Sequence, residues 1–286
     1  PLIEKTENPG LSALIKAAGA GEIGVISVGY RIAPRLNAAG RMSSASEALA
    51  LLNEKDAAQA KKAAESLCAL NKMRQDYEAG IFSHAIEMIE ADRKGIETAR
   101  AIVLYDGAWK QGVIGIVASR LAEKYGLPTV LMTAEDGVAK GSARSVGEFN
   151  ICAALSRAVC GLGSCGGHSM AAGVKLPVAS IEKFNNAFCG ITSAELEPEA
   201  VNAELHIDCE ITPGMTDIRQ VEDLSRLEPC GSGNPQPVFC MEGLSVTSIS
   251  AIGGGKHTKL MLEKDGVALN AVYFGARPES LDIAAG

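Results

Sequence analysis

The stretch ARAIVLYDGAWKQGVIGIVASRLAEKYGLPTVLMT, residues 99–133, changes character twice. ARAIVLYD reads as a buried strand, GVIGIVASRLAEKYG as a helix with Gly126 as its C-terminal stop, and PTVLMT as a second strand. Strand, helix, strand predicts an α/β fold. GVAKGSARS (137–145) continues it as a third strand, FNICAALSRAV (149–159) as a helix, AAGVKLPV (171–178) as a strand and IEKFNNAFCGITSAEL (181–196) as a helix, closing a unit of roughly a hundred residues near 195.

Upstream the pattern is helical. Asn8-Pro9 caps and opens a short helix ending near Gly19 and Gly21, and a second helical stretch runs through GVISVGYRIA into APRLNAAGRM (33–42). Residues 53–95 are rich in Ala, Lys, Glu and Met, with no Pro and with Gly80 as the only interior glycine before Gly95. They predict one long connecting helix, which over roughly 40 residues would span about 60 Å. From about residue 200 the periodicity turns mostly β: AELHIDCEI, PVFCMEGLSVTSISAI, HTKLMLEKDG and VALNAVYFG, interrupted by a helical TDIRQVEDLSRL. This predicts a small barrel.

Composition narrows the function. The 286 residues are 47% hydrophobic and 21% charged, ample for two or three domains with real cores. No window approaches ~20 uninterrupted apolar residues, and PLIEKTENPG lacks the plan of a signal peptide, so a cytoplasmic protein without a membrane partner is expected. Eight scattered cysteines without a CxxC do not form a disulfide framework. The net charge of −7 excludes an all-basic nucleic-acid coat but leaves room for a local basic cleft.

Three stretches point to an anion. In CGGHSMAAG (165–173), Gly166, Gly167 and their glycine neighbours let backbone amides converge while His168 adds a hydrogen bond or charge; a tight turn with a capping histidine fits equally. In KGSARS (140–145), Ser142 and Arg144 lie two apart on one strand face, so a hydroxyl and a forked guanidinium can meet one ligand, with Ser145 beside them. In DGAWKQGVIGIVAS, Gly112 opens a helix whose amides favour negative charge; Trp109 either stacks on a base or packs in the core.

GYRIAPRLNAAGRM (29–42), WKQGVIGIVASRLAEKYGLPTVLM (109–132), GSARS (141–145), GGHSMAAG (166–173), PCGSGNPQPVF (229–239) and HTKL (257–260) together resemble, in order, the downstream motifs of the RecJ single-strand DNA exonucleases of the DHH phosphoesterase superfamily. The resemblance implies the end of a DHH domain (1–53), a connecting helix (54–95), a DHH-associated substrate-binding domain (96–195) and a mainly β OB-fold for nucleic acid, truncated at its end (196–286). It implies a 5′ to 3′ exonuclease in DNA repair and recombination, with single-stranded DNA as substrate and a single-strand-binding protein and repair helicase as possible partners. Manganese or magnesium would be held upstream: no Asp-His-His occurs, and His84, His168, His206 and His257 lack ligand-like spacing. The chain is therefore expected to be a C-terminal fragment, inactive alone and carrying no metal ligands.

By the same resemblance, Ser142, Arg144 and Ser145 grip a terminal 5′ phosphate, and Gly166, Gly167 and His168 complete the site, His168 as phosphate partner or as proton donor to the leaving oxygen. Arg35, Asn37 and Arg41 lie on the nucleic-acid path, the alternative being an interdomain hub. His257 and Lys259 project onto a DNA-facing groove or into solvent. Two positions depart from the family pattern: Lys110 replaces a frequent histidine, leaving a cation for phosphate, and Cys230 replaces an aromatic residue. Rival expectations are a DHH phosphodiesterase of short oligonucleotides or cyclic dinucleotides, which lacks the β-rich domain, a non-catalytic nucleic-acid-binding module, and an alanyl-tRNA editing-type domain, which needs His and Cys spacing absent here.

Overall fold

The computed structural model describes residues 2–21, 23–197, 205–231 and 233–285. The chain divides into two compact units, residues 1–203 and 204–286.

The first unit begins with helices. The Asn8 side chain accepts the Leu11 N–H at 2.8 Å, capping α1 (Pro9–Ala17), and donates to the Leu52 carbonyl at 2.7 Å. The next stretch runs as α2 (Val25–Ser27), a π-helical turn over Val28–Ile32, and α3 (Ala33–Met42). Pro34 explains the widening: it has no N–H for the carbonyl four residues back, and its ring would strike that carbonyl in a regular α-turn. After α4 (Ala45–Asn53) comes α5 (Ala57–Ala91), whose 35 residues extend about 52 Å.

The long helix expected over 54–95 is trimmed at both ends. Glu54 accepts the amides of Lys55 and Asp56, and Asp56 in turn caps Gln59, so α5 starts at Ala57. Asp92 leaves helical geometry (φ −125°, ψ 40°), and a separate α6 (Arg93–Ala99) follows. The two halves of α5 serve different cores. Ala60, Ala64 and Leu67 pack with Leu14, Ile32, Ala39 and Leu51, whereas Ile81, Ala85 and Ile89 pack on the α/β part.

That part is a five-stranded sheet. β1 (Ile102–Tyr105) and β2 (Thr129–Glu135) are parallel, joined through α7 (Gln111–Tyr125), and Gly126 closes α7 at φ +63°. Antiparallel β3 (Val138–Arg144), β5 (Ala171–Pro177) and β4 (Ser164–Gly167) complete the order β1-β2-β3-β5-β4. β4 was not expected; Ser-Cys-Gly-Gly has no branched residue to announce a strand and forms one only as the edge of a hairpin. Strand alternation sorts the faces: Ala139, Ala143, Val174 and Leu176 join α8 (Ile151–Ala158) and α9 (Ile181–Glu195) in one core, where Phe184 and Phe188 stack at 5.9 Å. On the opposite face α7 buries Val113, Ile114, Val117 and Leu121 against β1, β2 and α5.

In the second unit, two-residue β6 (Cys209–Glu210) pairs in parallel with β7 (Phe239–Cys240), and α10 (Ile218–Leu224) lies between them in sequence. β8 (Ser245–Ile252), β9 (His257–Lys264) and β10 (Val267–Tyr273) form an antiparallel meander. Asp265-Gly266 make its last turn, with φ of 53° and 74°, the left-handed pair that a two-residue hairpin requires. Among the described residues this is an open three-stranded sheet beside a separate strand pair, less closed than the barrel expected. Beside β6 the Asp208 carboxylate accepts the Val238 amide at 2.8 Å, and the Asp208 amide donates to the Val238 carbonyl at 2.8 Å.

Candidate nucleic-acid interface

The β3 row opposite the α8/α9 core carries Ser142 and Arg144, as strand periodicity requires. Arg144 Nε donates to Ser119 Oγ on α7 at 3.0 Å, and Nη1 donates to Ser142 Oγ at 3.1 Å and to the Ala143 carbonyl at 2.7 Å. No carboxylate lies within 4 Å of this guanidinium among the described residues. Burial, and after it the positive charge of Arg41, push the Arg144 pKa below its ordinary value, although an arginine remains a cation at neutral pH.

Arg41 reaches the site through a close helix crossing. At Gly112, on the first turn of α7, an added Cβ would lie 2.1 Å from the Arg41 carbonyl oxygen, so only glycine lets α3 come so near. Arg41 Nη1 also donates to the Gly112 carbonyl at 3.2 Å. Beside this crossing is a groove of about 510 Å³ lined by Arg41, Ser43, Lys110, Gln111, Gly112 and Glu135, among others. Lys110 is the N-cap residue of α7 and is exposed. Glu135, the one carboxylate among the described lining residues, is paired with Lys140 at 2.5 Å; that hydrogen bond, then the lysine's charge, holds it below the usual carboxylate range. The groove is thus cationic within a chain of negative net charge.

The glycine-histidine segment lies two strands away. Register places Ser142 opposite Gly173 and Gly173 opposite Gly166, so these three share one row of the sheet. His168 and Ala171 exchange backbone hydrogen bonds across the β4–β5 turn. Gly167 has φ +153°, and a Cβ there would meet the Ala171 carbonyl oxygen at 2.4 Å, which fixes the residue as glycine. The tight turn is therefore present, but the His168 imidazole is exposed and caps no carbonyl among the described residues.

Other candidates fall elsewhere. Ser145 departs from its expected place: it is 8% exposed and its hydroxyl donates to the Phe149 carbonyl, holding the loop into α8. Arg35 faces α5, with Nε on Cys68 Sγ at 3.3 Å and Nη1 on the Arg31 carbonyl. Asn37 is exposed one turn before Arg41, so the helix separates Arg35 from the other two by rotation. Trp109 packs in the core, 7% exposed, and donates to His84 Nδ1 at 3.3 Å. In the second unit His257 and Lys259 share one face of β9, with Ser250 and Val272 flanking Lys259. His257 Nδ1 accepts the Gly275 amide at 2.9 Å, and its ring meets that of Phe274, 74% exposed, edge-on at 5.3 Å. Phe274, Ser119 and Gly115 were missed from sequence; only the Gly112, Gly115, Ser119 spacing along one α7 face signalled the latter two.

No three His, Cys, Asp or Glu side chains gather as a metal-binding group among the described residues, and the site's own groups are cations and hydroxyls. They do not fit a divalent metal ion.

Comparison with known proteins agrees with the two units. The DHHA1 domain family matches residues 98–194, and the RecJ OB domain family matches 207–286. The single-stranded-DNA-specific exonuclease RecJ of Bacillus subtilis is 34% identical over 279 residues, covering 95% of this chain and 35% of that protein. The chain carries a DHHA1 domain and a RecJ OB domain and resembles RecJ over most of its own length. The RecJ of Escherichia coli is 31% identical over 277 residues, 92% of this chain and 48% of that one. The crystal structure of Thermus thermophilus RecJ in complex with Mn²⁺ superposes with a TM-score of 0.79 at 32% identity, covering 94% of this chain and 39% of that one. The chain thus spans between a third and a half of the length of these RecJ relatives. Its RecJ OB match sets it apart from the oligonucleotide and cyclic-dinucleotide phosphodiesterases, expected to lack a β-rich domain. No helix among the described residues is long and apolar enough to cross a membrane.

Proposed function

We propose that this chain grips the 5′-terminal phosphate of single-stranded DNA and presents it for metal-dependent hydrolysis in a RecJ-type 5′ to 3′ exonuclease. One observation carries the proposal: Arg144 is a half-buried guanidinium beside a second arginine, with no acidic partner among the described residues. Two such cations raise each other's energy, and an anion between them removes the penalty. The Ser142 hydroxyl accepts from Arg144, which leaves its own hydrogen for a phosphate oxygen. Arg41 and Lys110 then take the next negative charge along the strand, and His168, two strands away on its turn, is a second phosphate partner. The exposed Asn37 surface of α3 is proposed to meet the following nucleotides, and the His257, Lys259 and Phe274 surface of the second unit is proposed, by itself, to bind single-stranded DNA with the exposed ring stacking on a base.

The residues described here bind and orient; the manganese or magnesium ions belong to ligands elsewhere in the enzyme. The purified chain is accordingly expected to release no nucleotide from single-stranded DNA in either metal, and chelator-sensitive release by it would refute this division of labour. Binding itself is testable by fluorescence anisotropy with a short 5′-phosphorylated oligothymidylate. Arg144 on the terminal phosphate and Arg41 with Lys110 on the next neutralise two phosphates, which predicts a log–log salt slope of about −1.4. A flat salt response would remove the electrostatic grip from consideration.

A further inference from the structure

Arginine recognises phosphate through a particular edge of its guanidinium, so what holds the other edges decides how the group points. Among the described residues, Arg144 Nε and Nη1 are engaged by Ser119, Ser142 and the Ala143 carbonyl, and Nη2 has no protein acceptor. The bidentate fork expected from the sequence is therefore partly spent inside the protein.

Ser119 is set up to accept. Its hydroxyl donates back to the Gly115 carbonyl, one turn earlier on α7, at 3.2 Å. With its proton committed there, the remaining lone pairs face Arg144 Nε. Gly115 completes the arrangement: an added Cβ would lie 2.8 Å from Ser142 Oγ and 3.1 Å from Arg144 Nη2. Both phosphate donors thus converge over an α7 residue that has no side chain to displace them.

We infer that Ser119 is a positioning residue for 5′-phosphate recognition: by holding Arg144 Nε it turns the free Nη2 edge toward the point where the Ser142 hydroxyl also arrives. The inference rests on the proposed phosphate grip. Ser119 touches no DNA itself.

The test compares wild type, Ser119→Ala, Ser119→Thr and Arg144→Ala. Each is measured for binding to 5′-phosphorylated and 5′-hydroxyl forms of one oligothymidylate, for thermal melting, and for exchange of the Arg144 Nε–Hε proton by ¹⁵N NMR. Ser119→Ala removes a single neutral acceptor and is expected to cut the 5′-phosphate preference roughly three- to tenfold. It should also speed exchange of the Arg144 Nε–Hε proton, while Tm stays within a few degrees of wild type. Ser119→Thr keeps the acceptor and should keep both the preference and slow exchange. If Ser119→Ala retains the full preference while Arg144→Ala loses it, the positioning role is overturned and the phosphate grip stands. If Nε–Hε exchange is the same in wild type and Ser119→Ala, the hydrogen bond does not hold the guanidinium and the inference fails. A wild-type chain that binds both DNA ends equally overturns the phosphate grip, and this inference with it.

Discussion

Arg144→Ala is expected to weaken binding of 5′-phosphorylated single-stranded DNA by ten- to a hundredfold, leaving little preference over the 5′-hydroxyl strand. The magnitude follows from the chemistry lost. A hydrogen bond between charged partners contributes about 1.5–3 kcal/mol, and each 1.4 kcal/mol is a factor of ten in affinity. Removal should not unfold the chain. Arg144 bonds within the protein to two half-buried serine hydroxyls, which water can reach in its place, and to the carbonyl of its neighbour Ala143, and no carboxylate is left unpaired. Relief of its proximity to Arg41 works in the same direction. Paired anisotropy titrations on the two DNA ends, with a thermal melt of each protein, measure both parts. An equal loss on both ends, or a melting point falling along with affinity, would make Arg144 a structural arginine and leave the phosphate without its main partner.

The Ser142–Arg144 pair was legible because strand periodicity is rigid: two residues apart on a strand means one face, whatever surrounds it. The helix ends at Asn8 and Gly126 were legible for a similar local reason, since a cap acts within one turn. The break at Asp92 was not, because Ala, Glu and Ile on either side favour helix and a single residue's geometry ended it. Edge strand β4 was hidden for the opposite reason. Nothing in Ser-Cys-Gly-Gly favours a strand until β5 supplies its hydrogen bonds.

The assembly of the candidate site was the least legible. Arg41 and Arg144 come from distant parts of the chain, and their approach depends on the α3–α7 crossing. The RLNAAGR motif suggested that Arg35, Asn37 and Arg41 act together, but on a helix their offsets point Arg35 at Cys68 and Arg41 at Gly112. Ser145 shows the limit of reading a motif as a unit: GSARS contains one serine beside Arg144 and another buried in a turn.

Gly112→Ala tests that crossing, and competing effects give it a definite sign. Intrinsic propensity favours alanine over glycine in a helix interior by about 1 kcal/mol, so if α7 stood alone the variant would be more stable. The crossing opposes this. The new Cβ would lie 2.1 Å from the Arg41 carbonyl oxygen and 2.8 Å from its carbon, and backbone cannot swing aside as a flexible side-chain end can. Overpacking of this kind costs about 1–3 kcal/mol when the surroundings must shift, and the shift here separates two helices with their packed neighbours. The expected outcome is a net loss of stability, with Tm lower by several degrees, together with weaker binding of 5′-phosphorylated DNA as Arg41 withdraws from Arg144 and the groove. Gly115→Ala, one turn further along the same helix, is the useful contrast. The three atoms nearest its Cβ would all be side-chain atoms, of Ser142 and Arg144, so phosphate preference should fall with little change in Tm. Were Gly112→Ala to melt at or above the wild-type temperature with its DNA affinity intact, propensity would outweigh contact, and the close approach of α3 to α7 would not be what brings the two arginines together.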